Sequence, residues 1–253
     1  MHQVRAIPLL LVPFVLGLVA QDAPAPRPSK GKGGKPGTFP DETIKVGEET
    51  RAFKLVVPPD LDATKPVPLL FVFHGMGDSK DFICRYSGFE ELAPKEGFIA
   101  VFPEGKDKRW ALRPGEENID IKFFDSLFAH VTSHYNVDFN RVYLTGMSMG
   151  AYFSNCLASQ RSDKVAAIAP HSGGLGALAF TGVKAKRKYA VLVVHGDEDR
   201  IVKVEEGRKS REVYAREGHA VEYLEIKGLG HAWAVKEDIT AKMWKFFMAH
   251  PIR

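Results

Sequence analysis

Two rhythms of apolar residues run through the chain. Strand-like runs occupy 69–73, 97–103, 141–145, 165–170 and 189–194, with a last strand at 221–226, and 69–73 is apolar at every position. A run that is apolar at every position predicts a strand covered on both faces. Between these runs the apolar residues recur every three or four positions. Ile121, Phe124, Leu127, Phe128 and Val131 predict a helix over 118–134, and Ile239, Met243, Phe246 and Phe247 predict one over 236–250. Shorter helical stretches are expected at 90–95, 149–160 and 203–217. Ahead of them, Phe53, Leu55 and Val57 mark a half-buried strand that forms a hairpin with 43–46 and stops at Pro58-Pro59. Strands alternating with helices predict an α/β domain with a mostly parallel central sheet and helices on both faces.

Composition adds the ends. Residues 1–20 carry Arg5 ahead of an apolar run from Ala6 to Ala20, which predicts a secretory signal and hence a secreted or periplasmic protein. The run is too short for a stable membrane anchor. Residues 21–37 are rich in Pro, Gly and Lys without an aromatic, so a disordered spacer is expected there, with the folded catalytic domain at 38–253. Among 253 residues, 45% are hydrophobic and the net charge is only +4, part of it in the leader and spacer. That balance gives no reason to expect a nucleic-acid surface. Cys84 and Cys156 are candidates for one disulfide in an oxidising compartment, or for two buried thiols. Neither belongs to a metal-binding pattern, and no metal or cofactor is expected.

The chemistry lies where strands end. Gly146-Met147-Ser148-Met149-Gly150 is a G-x-S-x-G segment between a strand and a helix, the context of a nucleophile elbow. Ser148 must occupy a tight, strained turn there, and flanking side chains would crowd the helix. In folds with this elbow, an oxyanion is bound by the amide after the nucleophile, here Met149, and by one from an earlier loop, here Met76 in His74-Gly75-Met76-Gly77. His195-Gly196-Asp197-Glu198-Asp199 follows another strand, and Asp199 is preferred to Asp197 as the acid because Ile201-Val202 can pack behind it. His231 follows the last strand. The order Ser148, Asp199, His231, spaced by 51 and 32 residues, suits a serine triad. His74, Trp110, His171 and Trp233 fall at the same edge and are candidate pocket residues. Trp110 is read either as a platform for an aromatic or sugar-bearing substrate or as a plug anchoring a long loop.

From 49 to 250 the chain resembles the α/β-hydrolase esterases similar to poly(3-hydroxybutyrate) depolymerase and the secreted feruloyl and acetylxylan esterases. The resemblance rests on Pro68-Leu69-Leu70-Phe71-Val72-Phe73-His74-Gly75, on the segment from Tyr135 through Gly150, on His195-Gly196-Asp197-Glu198-Asp199 and on Gly230-His231-Ala232-Trp233. It implies an α/β-hydrolase fold with a minimal lid, the triad Ser148, Asp199 and His231, secretion, and carboxylic-ester substrates. With no polymer-binding domain legible, small or soluble esters are expected, including polysaccharide-linked ones. A serine peptidase, a phospholipase-like carboxylesterase and a non-catalytic carbohydrate- or protein-binding member of the fold are the alternatives.

Overall fold

The computed structural model describes residues 24–253, so the leader expected at 1–20 lies outside the described residues. In chain order the elements are β1 (Gly37–Val46), β2 (Glu49–Val57), β3 (Val67–Phe73), α1 (Lys80–Tyr86), α2 (Phe89–Glu96), β4 (Ile99–Pro103), α3 (Ile119–His134), β5 (Val137–Met147), α4 (Met149–Gln160), β6 (Ala167–His171), α5 (Leu178–Thr181), β7 (Ala190–Gly196), α6 (Val204–Arg216), β8 (Val221–Ile226) and α7 (Ile239–Ala249). The strands form an eight-stranded sheet in the order β1-β2-β4-β3-β5-β6-β7-β8. β1 and β2 are antiparallel, β2 meets β4 antiparallel, and all pairs from β4 through β8 are parallel. This is an α/β-hydrolase fold, as the sequence resemblance implied.

Period-two alternation along β3 builds both layers at once. Leu69, Phe71 and Phe73 enter a core with Phe124 and Leu127 of α3, Phe153 of α4 and Tyr214 of α6. Leu70 and Val72 enter the opposite core with Ile83 of α1, Phe89 of α2 and Met243 and Phe247 of α7. Every β3 residue beyond Val67 is therefore buried, which is why its sequence shows no polar alternation. The connection between β6 and β7 holds only the four-residue α5, so any cover over the sheet edge is small.

Three expectations need correction or extension. The sheet separates the two cysteines: Cys84 lies in the core under α1 and Cys156 in the core under α4, both as free thiols, so the candidate disulfide is absent. Burial pushes both thiols up to about 12. The stretch after β3 that carries Cys84 could be read from the sequence as a loop or a helix, since seven residues give little periodicity; it is the helix α1. It is started by the Ser79 hydroxyl, which accepts from the Phe82 amide at 3.2 Å.

The segment expected to be a disordered spacer is laid along the protein in its described part. Ser29 donates its amide to Val137 O at 2.8 Å, Lys32 to Ser133 O at 3.1 Å and Gly34 to His134 O at 2.9 Å. The Tyr135 hydroxyl in turn donates to Lys35 O at 3.0 Å. Main-chain hydrogen bonds need no apolar side chains, so composition concealed this order. The glycines serve close approach: a Cβ at Gly31 would lie 2.4 Å from Thr132 O, and one at Gly34 2.3 Å from the Tyr135 ring.

Candidate active site

The turn from β5 into α4 places Ser148 at φ 55°, ψ −119°, a conformation that costs a side-chain-bearing residue about 1–3 kcal/mol. Packing holds it there. A Cβ on Gly150 would stand 2.2 Å from Phe73 O, and one on Gly146 2.7 Å from the same oxygen, so only glycine at both positions lets α4 close onto β3. The Ser148 amide donates to His171 O at 3.0 Å, tying the elbow to the end of β6.

The candidate acid and base come from the loops after β7 and β8. His231 Nδ1 donates to Asp199 Oδ2 at 2.7 Å, and Asp199 Oδ1 accepts the amides of Ile201 and Val202, each at 2.9 Å. Burial alone would raise the Asp199 pKa; the His231 bond and the two amides outweigh it and hold the carboxyl below its ordinary value. An ionised Asp199 fixes the proton on Nδ1 and leaves Nε2 of His231 to take one up. Asp197 instead accepts the Gly228 amide at 2.6 Å and clips the two loops together.

Three strand positions separate β8 from β5, and the loop carrying His231 crosses back over them. The Trp233 ring stacks on His171 with centroids 4.8 Å apart, the Ala234 amide donates to His171 Nε2 at 3.2 Å, and the Trp233 amide donates to the Tyr86 hydroxyl at 3.0 Å. His171 thus binds the elbow through its carbonyl and the base-bearing loop through its ring. The structure joins His231 to Asp199; among the described residues, Ser148 Oγ makes no hydrogen bond to either. Neither the contact of Tyr86 nor the bridging role of His171 was legible in the sequence.

On the other side of the nucleophile, the loop after β3 turns over Met76, with the Asp78 amide donating to Gly75 O at 3.2 Å. A Cβ on Gly75 would lie 3.6 Å from Ser148 Cβ, so this main chain runs against the nucleophile. The Met149 amide is the first of α4, where no intrahelical acceptor exists. The Met149 amide thus adjoins Ser148, and the Gly75 main chain next to Met76 lies against it.

The four candidate pocket residues are scaffold. His74 is fully buried; its Nδ1 donates to Gly75 O at 2.7 Å and its Nε2 accepts the Gly105 amide at 2.9 Å. Trp110 is the plug and not the platform: it stacks on Phe153 at 4.9 Å and donates Nε1–H to His74 O at 2.9 Å. Trp233 donates Nε1–H to the Thr240 hydroxyl at 3.0 Å, and His171 is likewise fully buried. Burial pushes the His171 pKa down to about 3, with smaller contributions from the charges of His195 and His231. The sequence placed all four at the right edge but had no signal for which way they pointed. Among the described residues no cluster has the makings of a metal site, and no helix is long and apolar enough to cross a membrane.

Residues 51–189 match the family described as esterase PHB depolymerase. The chain belongs to that family. Feruloyl esterase D of Neurospora crassa is 30% identical to this esterase over 82% of the chain and 73% of its own length. The bifunctional acetylxylan esterase/xylanase XynS20E of Neocallimastix patriciarum is 34% identical over 53% of the chain but only 20% of its own length. Among solved structures, the acetyl xylan esterase from Aspergillus awamori superposes with a TM-score of 0.68 over 83% of this chain and 99% of that one, at 14% identity. That likeness concerns the fold. The family and the relatives make the chain a serine-hydrolase-type esterase.

Proposed function

We propose that this esterase hydrolyses small or soluble carboxylic esters, with hydroxycinnamoyl, acetyl and short hydroxyalkanoate esters as the substrate classes, through Ser148, His231 and Asp199. The observation that carries the reading is the 2.7 Å bond from His231 to a buried Asp199, on a loop drawn back to a serine held in a strained turn. His231 Nε2 takes the Ser148 proton as Oγ attacks the ester carbonyl, and the amides of Met76 and Met149 receive the charge on its oxygen. His231 then gives that proton to the leaving alkoxide. Water repeats the sequence on the acyl-enzyme, releasing the acid and restoring Ser148. Each oxyanion donor contributes about 3–4 kcal/mol to such a transition state. The feruloyl and acetylxylan esterase relatives support ester over amide substrates, and the apolar leader read at 1–20 supports export.

The test is a panel of acetyl, butyryl, feruloyl and 3-hydroxybutyryl esters assayed with wild type and Ser148→Ala. Turnover of at least one ester by wild type, and none above background by the variant, is expected. A variant as active as wild type would remove Ser148 from the mechanism, and a folded wild type inert on the whole panel would favour a binding role.

A further inference from the structure

His195, at the end of β7, takes no part in the triad, yet it is fully buried directly behind Asp199. Its Nε2 lies 2.8 Å from Val202 O and 3.5 Å from Asp199 Oδ2, the oxygen that His231 also uses. Because a carbonyl only accepts, Nε2 carries the hydrogen. The ring therefore closes the turn from 195 to 202 from inside, and it fixes the same residue, Val202, whose amide holds Asp199 Oδ1. The far side of the ring is crowded. Nδ1 has no hydrogen-bond partner, and a Cβ on Gly207 of α6 would lie 2.8 Å from it and 3.0 Å from His195 Cβ. A helix-interior glycine costs helix stability relative to alanine; here it lets α6 press the imidazole against the acid loop.

We infer that His195 is a positioning residue for Asp199, acting through the Val202 carbonyl and the shared Asp199 oxygen, with Gly207 as the backstop that sets its place. The inference rests on the proposed triad. If it holds, His195 alters the rate at which bound substrate reacts and leaves substrate binding alone, and it does so only while Asp199 can serve as the acid.

Wild type, His195→Leu, His195→Gln, Gly207→Ala, Asp199→Asn and the Asp199→Asn/His195→Leu double variant are assayed on a short p-nitrophenyl ester, with Tm measured for each and Ser148→Ala as the control. Misplacing a reacting group by about 1 Å costs about 100-fold, so His195→Leu is expected to lower kcat by about that factor with KM within about twofold. Gln brings an amide N–H to the reach of Nε2 and should recover most of the loss. Gly207→Ala, which touches no substrate, should lower kcat about tenfold at unchanged KM. In the Asp199→Asn background, His195→Leu should cost less than about threefold, since the group it positions is already disabled. Wild-type kcat in both His195→Leu and Gly207→Ala overturns the inference, as does a change confined to KM or an equal loss in both backgrounds. If His195→Leu does not fold, Gly207→Ala and His195→Gln decide it. An active Ser148→Ala control would instead remove the triad itself.

Discussion

The two sides of the reactive edge are held by opposite means. On the acid and base side, Asp199, His231 and the loops around them are fixed by directed hydrogen bonds: His231 to Asp199, two amides to Asp199, Gly228 to Asp197 and Ala234 to His171. On the nucleophile side the fixing is mainly steric: besides one bond from the Ser148 amide to His171 O, Gly146 and Gly150 leave room for α4 to lie against the Phe73 carbonyl. A hydrogen-bonded array responds to any change of donor, acceptor or protonation and is indifferent to small changes of volume. A close-packed turn does the reverse. The difference teaches that substitutions on one side should register mainly in rate and pH dependence, and those on the other in stability.

That division can be tested by exchanging the two kinds of change. Asp199→Asn keeps volume but replaces one acceptor oxygen by an NH2, so the side chain can no longer hold both the two turn amides and His231 Nδ1–H, and kcat should fall by about 10³–10⁴ with a Tm close to wild type. A large drop in Tm with little loss of rate would contradict the division. Gly150→Ala adds one methyl and changes no hydrogen bond, yet its Cβ would meet Phe73 O at 2.2 Å. A loss of about 3 kcal/mol in urea unfolding is expected, and a stable, active variant would show that the turn is looser than described.

The third change acts through pH. His171 accepts the Ala234 amide through Nε2, and its pKa is lowered from 6.5 to about 3 by burial. Between those values the unfolded chain binds a proton that the folded protein does not, so stability falls as pH drops below about 6.5. By about pH 4.5 this one group should cost about 3 kcal/mol. His171→Gln keeps an acceptor in reach of Ala234 but does not titrate, so its Tm should fall less steeply on acidification than that of wild type. Parallel acid limbs would place the sensitivity elsewhere: in His74, His130 and His219, all lowered chiefly by burial, or in carboxylates held below their ordinary value such as Asp199 and Glu225.

The same contrast sorts what the sequence revealed. Core strands such as β3 were legible because burial on both faces forbids polar alternation, and the elbow because its glycines are a steric requirement written at fixed spacing. Asp199 was preferred to Asp197 on the expectation that Ile201-Val202 pack behind it; Ile201 is exposed instead, and it is the amides of these two residues that hold the Asp199 carboxylate. What stayed hidden depends on side-chain direction. Trp110, His74, His171 and Trp233 fall at the reactive edge but turn inward, a choice made by distant partners such as Phe153, Gly105 and Thr240. Residues 24–36 read as spacer because their order comes from hydrogen bonds, mostly to their main chain, from the 133–140 stretch, which leave no mark on hydrophobicity.

Whether Ser148 is the activated nucleophile is settled by covalent labelling with a small organophosphonate ester probe, followed by intact mass and peptide mapping. The account requires one adduct per chain on the peptide that carries Ser148, no adduct in Ser148→Ala, and strongly slowed labelling in His231→Ala. An unlabelled wild type of native Tm, or an adduct on any other residue, would contradict it.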